Sequence, residues 1–459
     1  MTVNGVKIQA ALKLLLAACV FLICACANGK IRYEYGKESI PSVPYPDVSF
    51  AVISDIHLYD PSLGTSGAAF EAVLNSDRKL LLDSIDLLDF ASEAIIARGK
   101  STSPGTPGSK ENKSVSFVLI SGDLTKDGEL VNHNLMAEKL KRFTENGISV
   151  YVVPGNHDIN NPDAVRFEGE GATGVATVSA EDFKRIYGDF GFNSALMHDD
   201  NSLSYVAEPA EGLWLLAIDA CRYRENKAGK GEIVSGKISK KTAKWITGVL
   251  KSAAENKKAV MAVMHHGVVE HWKGQSKLHP DYLIKGYGNF GKFLASWNVQ
   301  FVFTGHYHAQ DITKSQFGKK NIYDIETGSL VTAPCPIRYV EISDNVLRIQ
   351  SETLVEKIHP GTFFAVNAHA FVKRTVMLEA MSVLKKFKVS DADSHLIADS
   401  VGDAFAAHYS GDENPALRPP SPSKELGLWG RFVYGRQKYV IEGLWEDLEP
   451  EDNDVRIHL

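Results

Sequence analysis

Five short blocks gather histidine with aspartate, asparagine and glycine: Asp55-Ile56-His57, Gly122-Asp123, Gly155-Asn156-His157-Asp158, His265-His266 and Gly305-His306-Tyr307-His308. Imidazole and carboxylate together suit transition metals such as Zn, Mn or Fe, whereas an all-oxygen set would suit Mg or Ca. A carboxylate has two oxygens, so it can bridge two cations and offset their repulsion. No block contains cysteine, which excludes a thiolate structural zinc site. In an extended segment, side chains at i and i+2 point the same way, so Asp55 with His57, and His306 with His308, are expected to aim at one point each. By the same rule Tyr307 faces away from its neighbours and is expected to pack. Asp158 either orients His157 or caps its turn. His265 and His266 are both open as the ligand of their block.

Each block follows a short apolar run. Val48–Ile53, Val115–Ile120, Ser149–Val153, Ala259–Met264 and Phe301–Thr304 read as strands, and the patterns over 78–98, 129–146 and 239–254 predict helices between them. The alternation predicts an α/β fold, with ligands gathered where strands end at one rim. Runs at 202–206 and 213–218 predict a hairpin, and those at 322–325, 338–342 and 346–351 a second, mostly antiparallel sheet. Residues 371–388 and 391–408 predict two helices before Pro419, Pro420 and Pro422 break the chain. The basic end Lys385-Lys386-Phe387-Lys388 belongs on a helix packed against the enzyme, with contact to anionic lipid as its rival. The loops 59–76, 160–180 and 221–236 are expected to shape a cleft, which His266 and His271 either line toward substrate or, as the default, flank as partly exposed loop histidines. His279, His369, His395, His408 and His458 receive no role.

The chain has 459 residues, a formal net charge of −6 and 23% charged residues. That is ordinary globular composition, and the negative charge argues against bulk nucleic acid as a partner. Lys7 and Lys13 precede the uncharged apolar run 14–25, which ends Ile23-Cys24-Ala25-Cys26. The run is too short to span a bilayer but suits a signal peptide, and a small residue before cysteine resembles a bacterial lipoprotein processing site. Cys26, or alternatively Cys19, would carry the lipid, giving an exported protein that is membrane-anchored or periplasmic. Cys221 and Cys335 then remain; an oxidising compartment would let them pair, but they are expected as two isolated buried thiols. The expected organisation is a signal peptide over 1–25, a linker over 26–46, a catalytic domain over 47–356 and an extension over 357–459. No HExxH motif is present, which sets a zinc protease aside.

In order and spacing the five blocks resemble the calcineurin-like metallophosphoesterase superfamily, whose pattern is D-x-H, GD, GNH[D/E], H and GH-x-H. The resemblance covers about residues 48–350 and implies a four-layer α/β/β/α sandwich, here with a mostly helical C-terminal extension. It implies two divalent transition-metal ions (Mn, Fe or Zn), one held by Asp55, His57 and His308 and the other by Asn156, His265 and His306, with Asp123 bridging. Asn156 would add an oxygen ligand without charge, which preserves a positive field for phosphate. The implied activity is phosphoester hydrolysis by a metal-bound hydroxide, with His157 as the catalytic residue that protonates the leaving oxygen or stabilises its developing charge. Gly122-Asp123-Leu124-Thr125 looks like the cyclic-nucleotide phosphodiesterase branch, although Lys126 stands where that branch has an acid. A small phosphodiester or phosphorylated metabolite is therefore the expected substrate. The alternatives are a phosphomonoesterase, a nuclease, or a non-catalytic binding or assembly module, and protein partners stay open, with the C-terminal region as the place to meet one.

Overall fold

The computed structural model describes residues 31–100 and 114–459. The expected signal peptide, Cys19, Cys26 and the polar loop 101–113 lie outside those residues. Two mixed sheets face one another. The first has the order β15-β14-β13-β1-β2-β3, with β1 (Val48–Ile53), β2 (Phe117–Ile120), β3 (Ser149–Val152), β13 (Pro336–Ser343), β14 (Val346–Thr353) and β15 (Asp454–His458). The second runs β11-β12-β10-β9-β8-β7-β6, with β6 (Met197–His198), β7 (Tyr205–Ala210), β8 (Leu213–Ile218), β9 (Ala259–Met264), β10 (Phe301–Thr304), β11 (Asp311–Phe317) and β12 (Lys320–Glu326). A small hairpin, β4 (Val165–Glu168) with β5 (Gly171–Gly174), stands apart from both.

The late strands do not form the separate antiparallel sheet that the sequence suggested. β12 joins β10 in parallel, whereas β13 crosses to pair antiparallel with β1. Their apolar alternation specifies a buried face but not which sheet supplies the partner edge.

Alternation along the central strands explains the layering. In β8 and β9, Leu213, Leu215, Ala217, Ala259, Met261 and Val263 enter the core between the sheets. Trp214, Leu216, Ile218, Val260, Ala262 and Met264 turn the other way, onto α5 (Lys240–Glu255) and α7 (Tyr287–Ser296). Strands buried on both faces read as continuous apolar runs, which is why these were visible in the sequence. On the first sheet the outer layer is α2 (Ser84–Gly99) and α3 (Leu130–Glu145), whose Leu87, Leu88, Met136, Leu140 and Phe143 are buried. The result is an α/β/β/α sandwich. Three shorter helices, α1 (Ala68–Ser76), α4 (Ala180–Ile186) and α6 (Gln275–Leu278), sit in its loops.

α2 begins later than its periodicity suggested. Asp77, Arg78 and Lys79 are loop residues, because Leu80 N–H donates to Val331 O at 2.6 Å and fixes the chain before Leu81–Asp83 makes a 3₁₀ turn. The C-terminal region is α8 (Phe364–Lys386), α9 (Asp391–Ser410) and α10 (Leu428–Leu444), followed by β15, which adds to the β14 edge. Ser390 caps α9 by accepting from Asp393 N–H. α10 and β15 went unread in the sequence. Among the described residues no helix is long and apolar enough to cross a membrane.

Candidate metal centre

Strands β1, β2, β3, β9 and β10 all end at one rim, and each block lies just past its strand. The turns there are tight rather than extended. Asp55, His57, Asp123, His306 and His308 have φ of 49°, 42°, 49°, 78° and 68°. That left-handed region is uncommon for residues with a Cβ, though Asp and His enter it more readily than most. Such strain collects at functional sites, where the surroundings hold it in place. The side chains therefore converge through turn geometry and not through the pleat.

The motif glycines make room for this. A Cβ on Gly155 would lie 2.0 Å from Asp123 Oδ1, and one on Gly305 would lie 2.4 Å from Asp55 Oδ2. Hydrogen bonds then aim the carboxylates. Asp55 Oδ2 accepts from His306 N–H at 3.0 Å and from Ser54 Oγ at 2.5 Å, leaving Oδ1 buried without a hydrogen-bond partner. Asp123 Oδ1 accepts from His157 N–H at 2.9 Å.

The freed atoms meet. His57 Nε2 lies 3.3 Å from His308 Nε2, and His308 Nε2 lies 3.3 Å from Asp55 Oδ1. Asp123 Oδ2 is 3.7 Å from His57 Nε2 and 3.3 Å from His265 Nε2. His265 Nε2 is in turn 3.1 Å from Asn156 Oδ1. Asp55, His57, Asp123 and His308 could hold one cation, and Asp123, His265 and His306 could hold another. Asp123 is common to both groups. His265 Nδ1 donates to Ser121 O at 2.8 Å, which leaves Nε2 bare toward the group. His306 Nε2 is buried with no hydrogen-bond partner. Burial, followed by the charge of Lys79, holds the His57 imidazole well below its usual value, in the neutral form that ligates metals. Burial would raise Asp123, but His265 and His157 outweigh it and hold the carboxyl well below its usual range. Orphaned buried acceptors, neutral imidazole and one shared carboxylate all fit a pair of divalent cations.

The two histidines of the fourth block differ. His265 points into the cluster, whereas His266 Nε2 pairs with Val234 O at 2.9 Å and packs its ring 4.4 Å from that of His306. His266 and His271 are fully buried, not partly exposed as expected. Tyr307 packs, its hydroxyl accepting from Trp272 Nε1 at 3.1 Å.

Asp158 does not touch the His157 ring. Its carboxylate accepts from Thr125 N–H at 3.0 Å, Gly155 N–H at 2.8 Å and Leu124 N–H at 3.2 Å, and so caps the turn. Asp127 takes the orienting position, with Oδ1 3.0 Å from His157 Nδ1, and Lys126 pairs with its other oxygen. Glu232 Oε1 lies 3.3 Å from His157 Nε2, and Asn161 Nδ2 donates to Glu232 Oε2 at 2.7 Å. Burial lowers the His157 pKa, but Glu232 and Asp123 raise it to about 10. Burial raises Glu232 to about 7. Lys79, buried and 3.1 Å from Asp77, sends its charge into the same space. Sequence reasoning missed Asp127, Glu232 and Lys79 as site residues. Asp127 stands in the block after Gly122-Asp123, which was signal enough. Glu232 sits in a loop without pattern, and Lys79 lies in the stretch 78–98 whose spacing predicts a helix.

The family model described as calcineurin-like phosphoesterase matches residues 48–310. The chain belongs to that family. The matched span contains every residue of the two candidate groups. As a calcineurin-like phosphoesterase it is similar to a dimetal phosphatase from Danio rerio, at 15% identity and a TM-score of 0.47, covering 67% of this chain and 97% of that one. It is also similar to the phosphopantetheinyl hydrolase from Mycobacterium tuberculosis, at 9% identity and a TM-score of 0.29, covering 62% and 90%. No curated protein matches the sequence.

Proposed function

We propose that the chain is a binuclear metal-dependent phosphoesterase acting on a small phosphodiester. The observation that carries this reading is the single oxygen, Asp123 Oδ2, within 3.3–3.7 Å of one histidine from each candidate ligand group. In this reading Asp55, His57 and His308 hold one cation, Asn156, His265 and His306 the other, and Asp123 both. Such a pair lowers the pKa of water toward about 7 and offsets phosphate charge. His157 carries a proton at Nε2 and delivers it to the leaving oxygen, while Asp127 fixes the ring through Nδ1. Glu232, 3.3 Å from that Nε2, keeps the proton on the ring until substrate enters. Lys79 adds positive charge for the phosphoryl oxygens. The diester preference is supported by the Gly122-Asp123-Leu124-Thr125 block.

The test is chelation of the purified chain, reconstitution with Mn or Zn, and assay on paired aryl monoester and diester substrates. Metal-restored turnover of the diester fits the proposal. Restored turnover of the monoester alone replaces it with a phosphomonoesterase, and turnover of neither in the reconstituted chain removes the hydrolase reading.

The reading extends to an exported lipoprotein with an enzyme domain over 47–356 and an extension over 357–459. Fatty-acid labelling of the expressed chain that disappears in Cys26→Ser supports it, and labelling that persists moves the attachment to another residue.

A further inference from the structure

A second cluster of histidine and carboxylate lies behind the turn that carries His306 and His308. Asp311 opens β11, His408 ends α9, and Glu413 follows in the next loop. One ligand atom from each lies within 4.8 Å of the others. His408 Nδ1 contacts Glu413 Oε1 and is 3.6 Å from Asp311 Oδ2. Their side chains are 1%, 1% and 2% exposed in that order. Asp311 Oδ1 is already engaged by His271 Nδ1 at 2.5 Å and Thr313 Oγ1 at 2.9 Å, so Oδ2 is the oxygen left for this space.

Two further observations point to a ligand. Glu413 Oε2 is inaccessible to solvent and has no hydrogen-bond partner, and Asp447 Oδ1 beside the cluster is equally unpaired. Buried polar atoms rarely stay unpaired, because leaving one without a partner forfeits its solvation. Negative charge is also in excess nearby. Asp412, Asp447 and Asp452 form an adjoining group, and Asp324 and Glu326 lie 3.5 and 3.3 Å from His271 Nε2. The cations facing this region are His271 and Arg338, and Arg338 spends its hydrogen bonds on the carbonyls of Glu326, Asp311 and Asp452 and on Ser351 Oγ. An imidazole closed in with two carboxylates, amid a surplus of acidic groups, is a donor set that a divalent cation completes.

We propose that Asp311, His408 and Glu413 hold a third divalent cation, separate from the rim pair, with Asp447 beside it. One imidazole with carboxylate oxygens suits a transition metal of the zinc kind. The site is closed, so its role is structural. It fastens the C-terminal region to the segment that carries His306 and His308.

The test uses zinc as the probe and the full chain. In the Asp123→Ala background, which cripples the rim pair, Glu413→Gln is expected to remove about one further zinc equivalent and the rise in melting temperature that zinc produces. Equal zinc content and an equal rise in both proteins overturn the proposal. Should Glu413→Gln fail to fold, zinc-edge anomalous diffraction from the unaltered chain decides. A peak about 2.0–2.2 Å from His408 Nδ1 and the carboxylate oxygens supports the site. No peak there in zinc-grown crystals whose rim is filled overturns it.

Discussion

The rim and the cluster at Asp311 use the same residue types and differ in how the chain delivers them. At the rim, five converging side chains stand in left-handed turns at strand ends, and the outer edge stays open, with His308 and His157 side chains 12% and 18% exposed. At Asp311 none of the three principal residues has a positive φ, and all are closed off from solvent. Strained turns at an open edge leave room for substrate to enter and for ligands to be held against relaxation. A sealed cluster drawn from β11, α9 and a loop suits fastening. Chemistry belongs to the first region and cohesion to the second.

The sharpest way to break that contrast is Gly155→Ala. Its new Cβ would fall 2.0 Å from Asp123 Oδ1, a contact that the rigid turn cannot relieve without moving the carboxylate. Turnover is expected to fall by about 10³-fold or more, together with rim metal content, as for loss of a metal-bridging group. Full activity and full metal content would mean that the position of Asp123 is not critical.

His157→Ala separates positioning from chemistry at the rim. It should cut kcat by roughly 10²–10⁴-fold, the range for a general acid, while metal content stays near that of the parent. Loss of metal would make His157 a ligand instead. Asp127→Asn keeps a hydrogen-bonding group beside Nδ1 but removes the charge, so a smaller loss of about tenfold is expected, with the alkaline limb of the pH profile moved to lower pH. An unchanged profile would release Asp127 from its orienting role.

The last effect is on stability rather than turnover and concerns the support under the rim. His133 is fully buried between Tyr187 OH and Asp158 O, both 2.8 Å from its ring nitrogens, and burial lowers it to about 4. The unfolded chain takes up a proton near 6.5 and the folded chain only near 4, so this residue's contribution is complete above pH 6.5. It declines as pH falls toward 4, by at most about 3 kcal/mol. Denaturant titrations of His133→Gln should show a flatter acid limb. An identical limb would assign the acid sensitivity to other groups.

The same contrast explains what the sequence could reveal. The rim ligands come in blocks of two to four neighbouring residues after apolar strands, so both their identity and their place at strand ends were legible. The geometry that unites them was not, because left-handed turns at Asp55 and His306 leave no compositional mark beyond the adjoining Gly305. Asp311 is about a hundred residues away from His408 and Glu413, and each stretch has an ordinary local pattern. His408 ends an amphipathic helix, where a histidine is unremarkable. Glu232 was invisible for the same reason, since only tertiary closure of the 221–236 loop brings it to His157. Strand partners were half legible: periodicity marked β12 and β13 as buried, but their division between two sheets depends on edges contributed by β10 and β1.

Whether Asp123 joins two cations into one hydrolytic centre is decided by titrating chelated protein with Mn or Zn while following turnover of an aryl phosphodiester, in the unaltered chain and in Asp123→Ala. Expected are no turnover without metal, recovery as the rim pair fills, and none at any metal concentration in the variant. Turnover that survives chelation, or a variant that recovers like its parent, would contradict the bridging role.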